Sequence, residues 1–200
     1  MLRLTDLKLP LDHGEAALSA AILKRLDIDA AALSGYTVAR RSYDARKRGA
    51  IVLIYALDID TPREAELLQS FAADPHIQPT PDTDYHFVAK APAQIEHRPL
   101  VIGFGPCGLF AGLILAQMGF RPIILERGQV VRQRTRDTWG LWRRGVLHPE
   151  SNVQFGEGGA GTFSDGKLYS QISDPRHYGR KVLTEFVKAG APEEILTVAH

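Results

Sequence analysis

Gly103, Gly105 and Gly108 follow the apolar run Leu100-Val101-Ile102 and open a stretch of small and apolar residues. Between a strand and a helix, Gly-x-Gly-x-x-Gly brings a nucleotide phosphate against the backbone. Gly103 permits the tight turn out of the strand. Gly105 leaves the backbone bare for a pyrophosphate, and Gly108 lets the helix pack close to the strand. The helix N-terminus, with Pro106 and Cys107 in its first turn, offers unpaired N–H groups and a partial positive charge to phosphates. A second strand, Pro122–Leu125, ends at Glu126, whose carboxylate is placed to accept hydrogen bonds from ribose hydroxyls. That carboxylate would repel a 2′-phosphate, which disfavours NADP at this position. Arg127, beside Glu126, is the arginine best placed to face phosphates.

A second glycine cluster runs from Phe155 to Leu168, FGEGGAGTFSDGKL. Glycines let a loop pass close to a flat or anionic ligand, and successive N–H groups can form an anion-binding nest. Gly161 to Lys167 imitates a P-loop, but Leu168 stands where a Mg²⁺-binding Ser or Thr is needed, and no apolar strand leads in. An ATPase is therefore not expected. Cys107 is the chain's single cysteine. A helix N-terminus can activate a thiol, but without a second cysteine a redox disulfide is not expected, and Cys107 reads as a small residue in the loop.

Gly112 and Gly119 extend the first pattern to a spacing that resembles the fingerprint of FAD-dependent oxidoreductases of the glutathione-reductase type. The segments RPLVIGFGPCGLFAGLILAQMG, ILERG and SNVQFGEGGAGTFSDGKL, preceded by RRSYDARKRGAIVLIYALDID, resemble a family of bacterial FAD-dependent dehydrogenases among the NAD(P)/FAD-dependent oxidoreductases. The resemblance covers nearly all of the chain. It implies FAD as cofactor, hydride transfer through the flavin, and NADH or NADPH as electron donor. It implies Gly103, Gly105, Gly108 and Glu126 on the adenosine diphosphate half. It implies Gly158, Gly159, Ala160 and Gly161 near the pyrophosphate or the flavin. Members of that family are longer than this chain, so the sequence reads as an N-terminal portion whose substrate region lies outside it. Substrate and catalytic residues are accordingly not assigned.

The elements around these loops define two regions. Residues 1–90 read as a small α+β unit. Leu2–Leu9 is a strand candidate, and Asp12-His13-Gly14-Glu15 has the form of a capping box. Leu18, Ile22 and Leu26 then repeat at helical spacing. Tyr36–Tyr43 and Ala50–Ile59 are strand candidates, the second almost continuously apolar as an inner strand would be. Thr61-Pro62-Arg63-Glu64 is a second capping box with Pro at the first helical position, and Leu67, Leu68 and Phe71 form the apolar side of its helix. A closing strand near Tyr85–Val88 would complete a ferredoxin-like order. Residues 91–98 read as a linker in a proline-rich stretch. Residues 99–200 read as the start of an FAD/NAD(P)-binding Rossmann-type domain. Within it, Arg127–Arg144 reads as an amphipathic helix with Trp139 and Trp142 inward and its arginines solvated. Tyr178 to Val187 reads as a further helix ended near Gly190.

Composition bounds the alternatives. With Lys+Arg 24 against Asp+Glu 23, no bulk attraction to nucleic acid is expected. The basic run Arg40, Arg41, Arg46, Lys47 and Arg48 keeps open an RNA-binding module, or a flavoprotein acting on RNA. It surrounds a hairpin turn, however, and lacks interleaved aromatics. The longest apolar run is too short to span a bilayer, and the N-terminus lacks the apolar core of a signal peptide. One cysteine fits a reducing cytoplasm. The scattered histidines have no metal-ligand spacing, so no metal is expected.

Overall fold

The computed structural model describes residues 1–47, 49–163 and 172–198. The fold is mixed α/β, with an antiparallel sheet, a parallel strand pair and helices. Two compact units form. One holds the residues up to Tyr85 together with those from Ile172 onward; the other holds those from His86 to Phe163.

The first unit begins β1 (Leu2–Pro10), α1 (Ala16–Leu26), β2 (Gly35–Asp44), β3 (Val52–Asp60), α2 (Glu64–Ser70) and β4 (Ile77–Pro79). The sheet order is β2-β3-β1-β4, every neighbour antiparallel. Leu53, Tyr55, Leu57 and Ile59 are buried at alternate positions of β3, the period of a strand covered on one face. They pack with Leu2, Leu4, Ile22, Leu26 and Leu67. The apolar run of β3 thus occupies an inner strand, yet only every second residue is fully buried.

Three expectations for this unit are corrected. The strand that completes the sheet is Ile77–Pro79, not Tyr85–Val88. Ile77 is buried beside β1, whereas Phe87 and Val88 are exposed. Asp12 does not cap α1, which starts later, at Ala16, with Glu15 before it and no side-chain cap. His13 instead shares a hydrogen bond with the Tyr55 hydroxyl at 2.9 Å. Pro62 lies outside α2. Thr61 Oγ1 accepts the Arg63 N–H at 3.2 Å and donates to the Ala32 carbonyl at 2.7 Å, so it ties two loops together.

The last described segment, α5 (Tyr178–Lys188) and the turn after it, belongs to this sheet unit and not to the region of the glycine loops. The cause is backbone pairing. The Arg41 N–H donates to the Thr197 carbonyl at 2.7 Å, and Val198 forms a parallel bridge with Arg41 beside β2.

The second unit contains β5 (Leu100–Ile102), α3 (Pro106–Gln117), β6 (Ile123–Leu125) and α4 (Val131–Arg144). β5 and β6 are parallel, with Leu100 opposite Ile123 and Ile102 opposite Leu125. A parallel pair needs a crossover, and α3 supplies it. Gly119 ends α3 at φ 89°, donating to the Ala116 carbonyl, which lets the chain turn back into β6. In α4 the expected orientation is reversed. Arg134, Asp137, Thr138 and Gly140 are buried, while Trp139 and Trp142 are 45% and 54% exposed. Arg134 meets backbone carbonyls and Asp137 meets the Ser151 hydroxyl, so polar residues face inward.

Candidate functional site

The site is built where β5, α3 and β6 meet the second glycine loop. The Gly103 N–H donates to the Leu125 carbonyl at 2.7 Å, which ties the ends of the two strands together. Gly103 itself turns at φ 94°. Gly108 sits directly over that turn: a Cβ there would lie 2.0 Å from the Gly103 carbonyl oxygen. A Cβ at Gly112 would lie 2.5 Å from Ile124 Cδ1. These contacts explain why the first turns of α3 carry no side chain toward the strands. Gly105 caps α3 in extended conformation with no side-chain partner, and Pro106 follows at the first helical position. The early N–H groups of α3 are therefore not consumed by a capping side chain.

Glu126 stands at the tip of β6. One of its oxygens accepts the Gly128 N–H at 2.8 Å and the other accepts the Phe104 N–H at 2.7 Å. The Gly128 hydrogen bond is the main cause that holds its carboxyl below the ordinary glutamate value. The Phe104 bond and the Arg134 charge add to it, and partial burial opposes. Glu126 thus stays ionised and clasps both loops, with lone pairs left for hydroxyl donors. Arg127 is exposed and pairs with Glu150, its guanidinium 4.8 Å from the Phe155 ring centre. Its charge is largely spent on that carboxylate.

The second loop closes the site. The Gly158 N–H donates to the Phe104 carbonyl at 2.8 Å, and Gly159 lies against Pro106 and Gly105. Gly158 and Gly159 adopt φ 87° and 63°, a region that favours glycine. Ala160, Gly161, Thr162 and Phe163 form a short 3₁₀ turn. Ser164 to Leu168, the rest of the cluster and of the P-loop imitation, lie outside the described residues, as does Arg48 of the basic run.

An open cleft of about 390 Å³ lies between the loops. Of the residues singled out from sequence, Gly103, Gly105, Glu126, Arg127 and Gly159 line it. Pro106, Cys107, Gly108, Gly158, Ala160 and Gly161 do not line it. Gly108 and Gly158 act by allowing close packing, and Cys107 is exposed. Ile102, Phe104, Leu125, Gln154, Phe155 and Gly156 complete the wall; Phe155 and Gly156 open the second glycine cluster, but none of the six was singled out as a site residue.

Behind this wall lies the residue that sequence reasoning missed. Arg134 has no exposed surface. Its Nε donates to the Asn152 carbonyl at 2.8 Å, and its two terminal nitrogens to the Glu157 and Val153 carbonyls, each at 2.7 Å. Burial lowers its proton affinity, and the Glu126 charge partly restores it. Asn152 shapes the same turn, its side-chain oxygen accepting the Gln154 and Phe155 N–H groups. The Glu157 carboxylate accepts the Val131 N–H at 2.7 Å and so caps α4. Asp137 accepts from Ser151 at 2.6 Å and Gln133 at 2.8 Å, and the Ser151 bond is the main cause of its lowered pKa. The signal for this cluster was an arginine one helical turn before a buried aspartate, which the arginine-rich composition of α4 concealed.

Residues 1–60 match a family described as "Domain of unknown function (DUF8436)". A protein of Clostridium beijerinckii, described as an uncharacterized protein, is 41% identical over 194 residues. That match takes in 97% of this chain and 36% of the relative, so the chain spans about a third of the curated relative's length. No helix among the described residues is long and apolar enough to cross a membrane. Among the same residues, no group of three or more His, Cys, Asp or Glu could hold a metal ion.

Proposed function

We propose that this chain binds the adenosine diphosphate half of FAD and serves a flavin-dependent oxidoreductase. The observation that carries the reading is the cradle at the start of α3. Gly108 has no room for a Cβ over the Gly103 carbonyl, and Gly105 leaves the mouth of the helix bare. Glu126 stands ionised on the facing strand tip. The bare helix N-terminus suits a diphosphate and the carboxylate suits ribose hydroxyls. The β-α-β-β-α-β order with sheet order β2-β3-β1-β4 supports a ferredoxin-like first unit. The parallel β5-α3-β6 unit supports the start of a Rossmann-type second one.

FAD bound here would supply two-electron chemistry, taking hydride from NADH or NADPH. The chain's own residues would do the holding. Gly103, Gly105 and Gly159 admit the diphosphate, Glu126 orients the ribose, and α3 supplies the positive end of its dipole. NADP is disfavoured in this cleft by Glu126. RNA is disfavoured as a ligand of the basic run, because Arg46 is held by Asp44 at 2.8 and 2.6 Å.

The test is a visible spectrum of the purified chain, alone and after FAD addition, followed by NADH or NADPH. Retained flavin absorption that bleaches on reduction is expected. Binding of ADP without flavin uptake would reduce the chain to a nucleotide-binding module. A colourless protein that binds neither would overturn the reading.

A further inference from the structure

Among the described residues, Arg134 is the charged side chain with no exposed surface at all. It donates to the carbonyls of Asn152, Val153 and Glu157 and, at 3.4 Å, to the Thr162 hydroxyl. Among the described residues no carboxylate pairs with it at salt-bridge distance, and Glu126 acts on it through space. A buried cation held by carbonyls rather than by an ion pair is not neutralised at contact, and its charge acts through space on groups such as Glu126. Arg134 is also locked to the loop sterically. A Cβ on Gly156 would lie 2.5 Å from Arg134 Cδ, and the guanidinium sits 4.9 Å from the Phe163 ring centre. Gly156 itself lines the cleft. The order across the wall is therefore cation, glycine backbone, cleft.

From this arrangement we infer that Arg134 is a positioning residue that holds the second glycine loop in place and makes the cleft selective for the diphosphate part of a nucleotide. The inference rests on the nucleotide reading above and deepens it. Arg134 does not touch the ligand. It fixes the carbonyls of the 152–157 turn inward, so that the glycine face of the turn is what the ligand meets. The buried guanidinium behind that face, offset only in part by Glu126, then favours an anion over a neutral group.

The experiment compares ADP with adenosine on the 200-residue chain, by titration followed by NMR, for wild type, R134M and R134K. Wild type is expected to prefer ADP by about tenfold or more, the size of a charge-assisted contact. R134M, which leaves three loop carbonyls without their donor, is expected to weaken both ligands and ADP much the more, so that most of that preference is lost. R134K, which keeps the charge without the fork, is expected to restore part of it. A purely structural role would weaken both ligands alike and gain nothing from lysine. G156A, whose methyl would press on Arg134 from the cleft side, is the second variant and is expected to show the same loss of preference. A folded R134M or G156A with the wild-type ratio of ADP to adenosine affinity would overturn this inference alone. Wild type that binds neither nucleotide would overturn the nucleotide reading and this inference with it.

Discussion

Gly108→Ala is the sharpest test of the cradle, because the obstacle is backbone. The new methyl would lie 2.0 Å from the Gly103 carbonyl oxygen and 2.9 Å from its carbon. Real Cβ atoms essentially never come within 3.0 Å, so α3 and the turn must separate by about 1 Å. Overpacking of this kind costs about 1–3 kcal/mol. Alanine returns about 1 kcal/mol of helix propensity, which leaves a net loss of up to about 2 kcal/mol. For a unit of this size that lowers the melting temperature by up to about 16 °C. The ligand suffers more, since a shift of about 1 Å at an organised site costs about a hundredfold. Gly105→Ala is the control. Its methyl would meet only Gly159 Cα, at 3.8 Å, an ordinary contact, and Gly105 has φ −78°, which any residue adopts. That variant should melt within about 1 kcal/mol of wild type, the small cost of alanine at a helix cap, yet lose nucleotide affinity. Differential scanning calorimetry and ADP titration measure the two effects. If G108A melted and bound as wild type does, the close packing of α3 on the turn would be refuted. If G105A bound normally, the diphosphate would not approach there.

Other expectations follow from separate parts of the molecule. Glu126 has its carboxyl lowered below 4.5 chiefly by the Gly128 N–H. Its contribution to stability is then complete above that value and is lost as pH falls through the lower folded value. Urea melts should therefore show no Glu126→Gln difference in pH slope above about pH 5, and a gentler acid decline in the variant; identical acid slopes would count against the clasp. Ile22→Ala, in the core of the first unit, should cost about 2–5 kcal/mol without changing ADP affinity, since the core cluster that holds Ile22 contains none of the residues lining the cleft. Tryptophan fluorescence should be quenched more strongly by iodide than by caesium. Trp139 and Trp142 are half exposed, and the Arg143 guanidinium lies 4.4 Å from the Trp139 ring centre. Equal quenching by both ions would mean that this face is covered.

The first unit was largely legible because its signals are local. Leu18, Ile22 and Leu26 repeat at helical spacing, and the second β-rich run, with its buried alternate residues, is an inner strand. The closing strand was misplaced because Ile77-Gln78-Pro79 is three residues long and ends in proline, too short for a periodicity to show. Its identity comes from pairing with Leu2 and Leu4, a contact between distant parts of the chain. The pairing of Arg41 with Thr197 and Val198 is of the same kind, and it assigns α5 to the sheet unit without any local signal.

The site divides along a similar line. Gly103, Gly105, Gly108 and Glu126 could be assigned from spacing, because each job depends on a strand, a turn and a helix that are contiguous in sequence. Gly156 and Arg134 could not, because their jobs depend on each other across the loop. Amphipathic reasoning takes an arginine in a helix to be solvated, and it takes tryptophan to be buried. α4 inverts both, with Arg134 enclosed and Trp139 and Trp142 open. The inversion has a physical cause. The 152–157 turn directs the carbonyls of Asn152, Val153 and Glu157 toward the helix, and burying those oxygens against an apolar side chain would leave each without a donor. A five-donor planar guanidinium satisfies all three at once, which lysine or a neutral amide could not do with the same geometry. The glycine loop therefore explains the arginine, and the arginine explains why the loop can turn its glycine face to the cleft.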